Sequence, residues 1–253
     1  MTATSPTDGS STTHRCLAQR CVVVVAAGSG QRLGRGMPKA LVEIAGRTIL
    51  EHSLESIRAS GVCGATGRIV VTVPHDDRRL GELARRAGAQ PVVGGSTRAE
   101  SVRRALEVLA RGPEPEGVLI HDAARCLTPA AVFLRVAEAL EHHPAVIPVM
   151  PVVDTMRSVD DAGRLQATVD RAGLRAIQTP QGFRWPLLRE VHAAALAAGI
   201  DDASVTDDAS LVERFSHHAV TAVPGDEEAF KVTRPLDLLL AEAVLAHRPR
   251  PRV

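Results

Sequence analysis

Residues 21–41, CVVVVAAGSGQRLGRGMPKAL, decide the fold. Val22 to Val25 are consecutive and β-branched, and the run stops before Gly28. It is too short for a helix and suits a strand buried on both faces of a parallel sheet. Beyond it, Gly28, Gly30, Gly34 and Gly36 omit side chains and admit positive φ, so backbone N–H groups can close on an anion. Arg32, Arg35 and Lys39 add positive charge. A merely basic, glycine-rich surface loop has the same composition. What distinguishes this one is its place at the carboxyl end of the first strand, where open α/β sheets hold ligands. Two familiar phosphate motifs are excluded by spacing. Leu33 stands where the dinucleotide fingerprint needs its third glycine, and Lys39 lies between Pro38 and Ala40 rather than in Gly-Lys-Ser/Thr.

Outward from this stretch, strand and helix signals alternate. Helical periods cover 50–60, 76–87, 101–110 and 130–141, with strands at 68–73, 91–93, 117–120 and 145–149. This predicts an α/β fold with a doubly wound, mostly parallel, Rossmann-like sheet and helices on both faces. The alternation breaks at 155–177, which reads as two strands around Asp160-Asp161-Ala162-Gly163, an inserted β-hairpin arm with edges open to pairing. Helices at 185–198, 208–215 and 235–247 and a strand at 219–223 complete the chain. The expected division is a disordered extension over 1–20, one domain over 21–247 with its arm at about 154–178, and a tail over 248–253.

Composition narrows the function. The 253 residues hold 45% hydrophobic and 23% charged side chains, the balance of a globular protein. With 30 Lys and Arg against 29 Asp and Glu, net charge is +1, and aromatics are 2%. There is no field or stacking surface for nucleic acid, and no partner of that kind is expected. No run is long enough for a membrane span, and 1–20 lacks the apolar core of a secretory signal, so a cytoplasmic location is expected. Cys16, Cys21, Cys63 and Cys126 are scattered without a CxxC pair, which predicts reduced thiols rather than zinc or redox work.

The segment A-A-G-x-G-x-R-x-G, followed by Pro38-Lys39, resembles the signature of nucleotidyltransferases that attach NMP to sugar or polyol phosphates. Seven further segments are similar to the 2-C-methyl-D-erythritol 4-phosphate cytidylyltransferase family of the non-mevalonate isoprenoid pathway. They are GGSTRAESV (94–102), HDAAR (121–125), VVDTM (152–156), TVDRAGL (168–174), QTPQGF (178–183), TDDASLVE (206–213) and KVTRPLDL (231–238). The likeness runs from Cys21 to the end of the last helix. After that helix no span remains for a fused second enzyme of the pathway.

This resemblance implies transfer of CMP from CTP to 2-C-methyl-D-erythritol 4-phosphate, giving 4-diphosphocytidyl-2-C-methyl-D-erythritol and pyrophosphate. In such a reaction cations stabilise charge building on the phosphates. By motif, Arg32, Lys39 and Lys231 match the catalytic cations, and Lys39 and Lys231 are the two lysines of the chain. Ala26, Ala27, Gly28, Gly30, Gly94 and Ser101 match nucleotide-binding positions, and Asp122 lies in the ribose and metal region, although an acid there also fits a helix cap. Arg125, Thr155 and Arg171 match residues that grip the acceptor phosphate, the last two reaching over from a second subunit. The resemblance thus implies a homodimer built through the arm and a divalent cation, Mg²⁺, held mostly by the triphosphate.

Three positions depart from the family pattern: Cys126 replaces the usual Pro after HDAAR, Ala229 replaces an Asn before KVT, and Ser96 replaces an acid after Gly-Gly. Two other readings remain open: a cytidylyltransferase for ribitol or another polyol phosphate, and a catalytically silent nucleotide-binding homologue.

Overall fold

The computed structural model describes residues 20–28, 30, 33–34, 36–64, 66–200 and 204–248. The expected extension before Arg20, the tail beyond Arg248, Cys16, Arg32 and Arg35 lie outside them. Strand β1 (Arg20–Val25) is the centre of the sheet. It pairs in parallel with β6 (Gly117–Asp122) on one side and β4 (Ile69–Val73) on the other, and β4 pairs in parallel with β5 (Gln90–Val93). Beyond β6 come β11 (Gln181–Arg184), antiparallel, and then β7 (Ala145–Pro151), which again runs with β1. β10 (Arg175–Ile177) extends the β11 side of β7, and β12 (Val220–Pro224) pairs in parallel on the other edge of β7. The sheet is therefore mostly parallel, with β10 and β11 reversed. A two-stranded ribbon of β2 (Glu43–Ile44) and β3 (Arg47–Thr48) stands apart from it.

The alternation of side chains along β1 feeds two separate cores. Cys21 and Val23 pack with α3 (Arg98–Ala110), α5 (Trp185–Ala197) and α6 (Ala209–Phe215). Val22 and Val24 pack with α1 (Ile49–Ser60), α2 (Arg78–Arg86) and α4 (Ala130–Ala139) on the opposite face. Because both faces are covered, the strand has no polar side, which is why its sequence is a continuous run of Val. The helix ends are set locally. Thr48 and Glu51 form a reciprocal capping box at the start of α1, and Gly61 ends it at φ 64°.

A third, smaller core joins Leu33, Val42, Ile44 and Ile49 to Cys126, Leu127, Val232 and the terminal helix α7 (Pro235–His247). It brings the segment before α7 under the glycine loop. Val232 donates its backbone N–H to the Ala124 carbonyl at 2.8 Å, so the 231–234 segment is tied to the end of β6.

The hairpin signal at 160–163 corresponds to β8 (Met156–Val159) and β9 (Leu165–Val169), paired antiparallel with Gly163 in the turn at φ 77°. The stretch does not end there: 175–177 rejoins the main sheet as β10. The elements otherwise fall within a few residues of the sequence boundaries, except that α3 begins at Arg98 rather than at 101. No helix among the described residues is long and apolar enough to cross a membrane.

Candidate functional site

β1 runs on to β4 and β5 on one side while β6 lies on the other, so a crevice opens at their carboxyl ends, where such sheets bind ligands. A cavity of about 440 Å³ sits there. Its lining comes from the end of β1 (Val25 to Gly28), from Lys39, from the start of α3 (Gly95 to Arg98 and Ser101), from the end of β6 (Asp122 to Ala124) and from Lys231. Ala26, Ala27, Gly28, Lys39, Ser101, Asp122 and Lys231 are thus brought together by the fold. Gly30 and Gly94 stand just behind the wall, while Thr155 and Arg171 are not on it.

The glycines are there for close approach. A Cβ on Gly30, which has φ 70°, would come within 2.8 Å of the Lys39 backbone nitrogen, so the loop folds directly onto the turn that carries Lys39. A Cβ on Gly94 would lie 2.7 Å from the Ala27 Cβ and 2.8 Å from the Ser101 hydroxyl. Ser101 is buried, and its hydroxyl accepts from the Gly95 N–H at 3.0 Å and donates to the Thr97 carbonyl at 2.8 Å. It shapes the 94–97 loop.

Asp122 is the hub of the polar wall. Its carboxylate accepts from Lys231 Nζ at 2.7 Å and from Arg98 Nε at 3.3 Å, so it is an ion-pair partner and not a helix cap. Its backbone N–H donates to Thr179 Oγ1 at 3.1 Å. Arg98 continues to Asp208, donating at 2.7 Å, and Asp208 accepts from His192 Nε2 at 3.0 Å. The two acids are deeply buried. Burial alone would raise both carboxyl groups, but Arg98 beside them, with Lys231 at Asp122 and His192 at Asp208, outweighs it and holds both below the usual carboxylate range. Burial likewise works against the charge on Arg98, and the two carboxylates more than reverse it.

Stability should depend on pH accordingly. A carboxyl group held low in the folded state contributes stability above its unfolded value, about 3.9 for Asp, and loses it as pH falls through the folded value. The urea midpoint is expected to fall steadily below pH ~4. Asp208→Asn should flatten that fall, and an equal decline in both proteins would contradict the assignment.

Arg125 is spent largely on structure: it donates to the Ala229 carbonyl at 2.7 Å and to the Ile177 carbonyl at 2.9 Å. It ties the foot of the arm to the segment before Lys231, beside the cavity rather than in it. Arg171 lies exposed on the short turn after β9 and donates to the Val153 carbonyl of its own chain. His121 is a core residue. Burial pushes its ring down to about 3, so it stays neutral, contacting Thr179 Oγ1 at 3.0 Å and packing on Phe133.

The departures from the family pattern have local accounts. Cys126 is buried in the third core with its thiol pushed up to about 12 by burial, Ala229 is buried with its carbonyl on Arg125, and Ser96 donates through N–H and hydroxyl to Glu100. Cys21, Cys63 and Cys126 are all buried free thiols.

Sequence reasoning gave no role to Arg98, Asp208, His192, Thr179 or Gln181. Arg98 carried a signal, since a basic residue in the first turn of a helix opposes the helix dipole and needs a reason to be there. Gln181 had none; it accepts the Asp208 and Ala209 N–H groups and donates to Asp207.

A doubly wound sheet with a glycine loop and convergent lysines at its carboxyl edge defines the α/β nucleotide-binding class. The comparisons are more specific. The model of the family described as 2-C-methyl-D-erythritol 4-phosphate cytidylyltransferase matches residues 20–247, and the chain belongs to that family of nucleotidyltransferases. A protein of that description from Frankia casuarinae is 49% identical, covering 88% of this chain and 80% of its own. One from Saccharopolyspora erythraea is 45% identical, covering 88% and 98%. The crystal structure of the Thermus thermophilus enzyme of the same description superposes with a TM-score of 0.73 at 35% identity, covering 89% of this chain and 98% of that one.

Proposed function

We propose that this chain transfers CMP from CTP to 2-C-methyl-D-erythritol 4-phosphate, releasing pyrophosphate. The observation that carries the reading is the meeting of Lys39 and Lys231, far apart in sequence, on one cavity at the end of β1, with Asp122 holding Lys231 in place. An acceptor phosphate oxygen attacks the α-phosphorus in line and the bond to the β-phosphate oxygen breaks. The protein positions the two anions and stabilises the charge that builds on them. Lys39 and Lys231 act on that charge. Arg32 joins them on the strength of the motif alone.

The cytosine is read by backbone groups at Ala26, Ala27 and Gly94, with Ser101 fixing the loop. A site built for one hydrogen-bond pattern leaves buried groups unpaired with another base. CTP is therefore expected to be used well ahead of UTP, ATP and GTP. Pyrophosphate release measured with each nucleotide against a panel of polyol phosphates tests base and acceptor together. Comparable turnover with UTP would sink the base assignment, and a preference for ribitol phosphate the acceptor assignment.

Mg²⁺ fits the residues present. Asp122 is the one carboxylate among the lining residues, and each of its oxygens keeps acceptor capacity beyond its bond to Arg98 or Lys231. No cluster of three His, Cys, Asp or Glu that could hold a metal occurs among the described residues, so the triphosphate and water would supply most ligands. The ion would neutralise phosphate charge there.

We also assign the arm to a homodimer, with Thr155 and Arg171 serving the acceptor phosphate of the partner subunit and Arg125 supporting it from within. Val153, Met156, Val159 and Leu165 are left 42–78% exposed in the single chain, apolar area that a partner would cover. Residues 21–247 act as one domain in this account. Three buried free thiols agree with a reducing compartment, the cytoplasm.

A further inference from the structure

We propose that Asp208 and His192 are positioning residues for Lys231: Asp208 holds Arg98, and Arg98 in turn fixes the Asp122 carboxylate on which Lys231 rests. The inference builds on the reading of Lys231 as a cation for the phosphates. Neither Asp208 nor His192 lines the cavity, so neither touches substrate.

The charges alternate along the chain of contacts, from Asp208 through Arg98 and Asp122 to Lys231, and only the last is substantially in solvent, with its side chain 41% exposed against 0% for Asp208. The shorter bond of Arg98 is the one to Asp208, at 2.7 Å, whereas Asp122 accepts at 3.3 Å. Asp208 is therefore the main anchor, which leaves Asp122 free to make its own short bond to Lys231. Without Asp208 the guanidinium would turn its whole charge on Asp122 and compete with Lys231 for the same carboxylate.

His192 has a defined part as well. Its Nε2 donates to Asp208 Oδ1, which directs Oδ2 to Arg98. Gln181 fixes the backbone of Asp208, and Thr179, two residues earlier, fixes that of Asp122. One short stretch, Thr179 to Gln181, thus sets the distance between the two carboxylates. A buried array of charges is a costly way to stabilise a core, since well-packed apolar residues often do as well or better.

The test is a double-mutant cycle in the full-length protein, with pyrophosphate release as the readout and thermal melting as the folding control. Asp208→Asn is expected to lower kcat on the order of 10- to 100-fold, the scale for removing the support of a site group, with KM for CTP little changed. On a Lys231→Ala background the same substitution should change kcat by less than about 2-fold, because its route of action is already gone. Additive losses in the two backgrounds, or a loss confined to KM, would overturn the proposal and leave Asp208 a structural ion pair. An unchanged kcat in Lys231→Ala alone removes the role of Lys231, and this inference with it. If Asp208→Asn does not fold, His192→Leu runs the same cycle with a smaller loss. His192→Gln, which keeps a donor, should recover most of it; failure of that rescue counts against the proposal.

Discussion

Lys39→Ala is expected to lower kcat by about 10²- to 10³-fold, the scale for one preorganised group at developing charge, while KM for CTP changes far less. The side chain is half-buried at the cavity wall, at the start of the turn Lys39–Leu41. The backbone of that turn is pressed by Gly30, so the ammonium is placed before substrate arrives. A group held this way contributes most when negative charge accumulates on the α-phosphate, not when CTP first binds. Weakened CTP binding with an unchanged kcat would mean that Lys39 binds ground state and transition state alike. Lys39→Arg should restore only part of the rate, because a planar fork does not replace a compact point charge.

The second large effect concerns the arm. Arg171 sits on the turn following β9, away from the cavity of its own chain, and in a two-fold dimer each arm would serve the other subunit. Lys39→Ala and Arg171→Ala chains, each inactive alone, should then complement after being unfolded and refolded together at equal ratio. About half the dimers are mixed, and each carries one site with both lesions and one with none, so roughly a quarter of wild-type activity should return. Simple mixing without subunit exchange should give nothing. Verified mixed dimers that stay inactive would place Arg171 in its own chain's site or outside the chemistry, and would leave the nucleotide half of the account standing.

What the sequence could show depended on how many roles a residue had. Val22 to Val24 have one role, burial, and their continuous run exposes a strand covered on both faces. Asp160 to Gly163 also have one role, and the hairpin follows. Gln181 to Arg184 have several: Gly182 lies under the Val136 side chain, Gln181 is buried to hold Asp208, and the strand runs against its neighbours. Little β-branching or alternation survives those demands, so β11 was not visible. The start of α3 was misplaced for the opposite reason. Thr97 caps it, but Arg98 masks the apolar period because it is aimed inward at two carboxylates. Of the candidate site, the cavity lining around Ala26, Lys39, Asp122 and Lys231 was legible through motif resemblance. The line of charges behind it was not, since it joins residues 98, 122, 192 and 208 only through the fold.

The place of β11 between β6 and β7 also governs the order in which the sheet can be completed during synthesis. β7 ends at Pro151, yet its inner neighbour begins at Gln181 and its outer neighbour at Val220. At ~5–20 residues per second, translation leaves Ala145–Pro151 without a strand partner for a few seconds. β1, β4, β5 and β6 already pair with one another by then. A bare apolar strand beside a growing sheet invites pairing with another nascent chain. Pro148 and Pro151 each remove an N–H from that strand, so the sequence that must wait longest is also a poor template for the wrong partner.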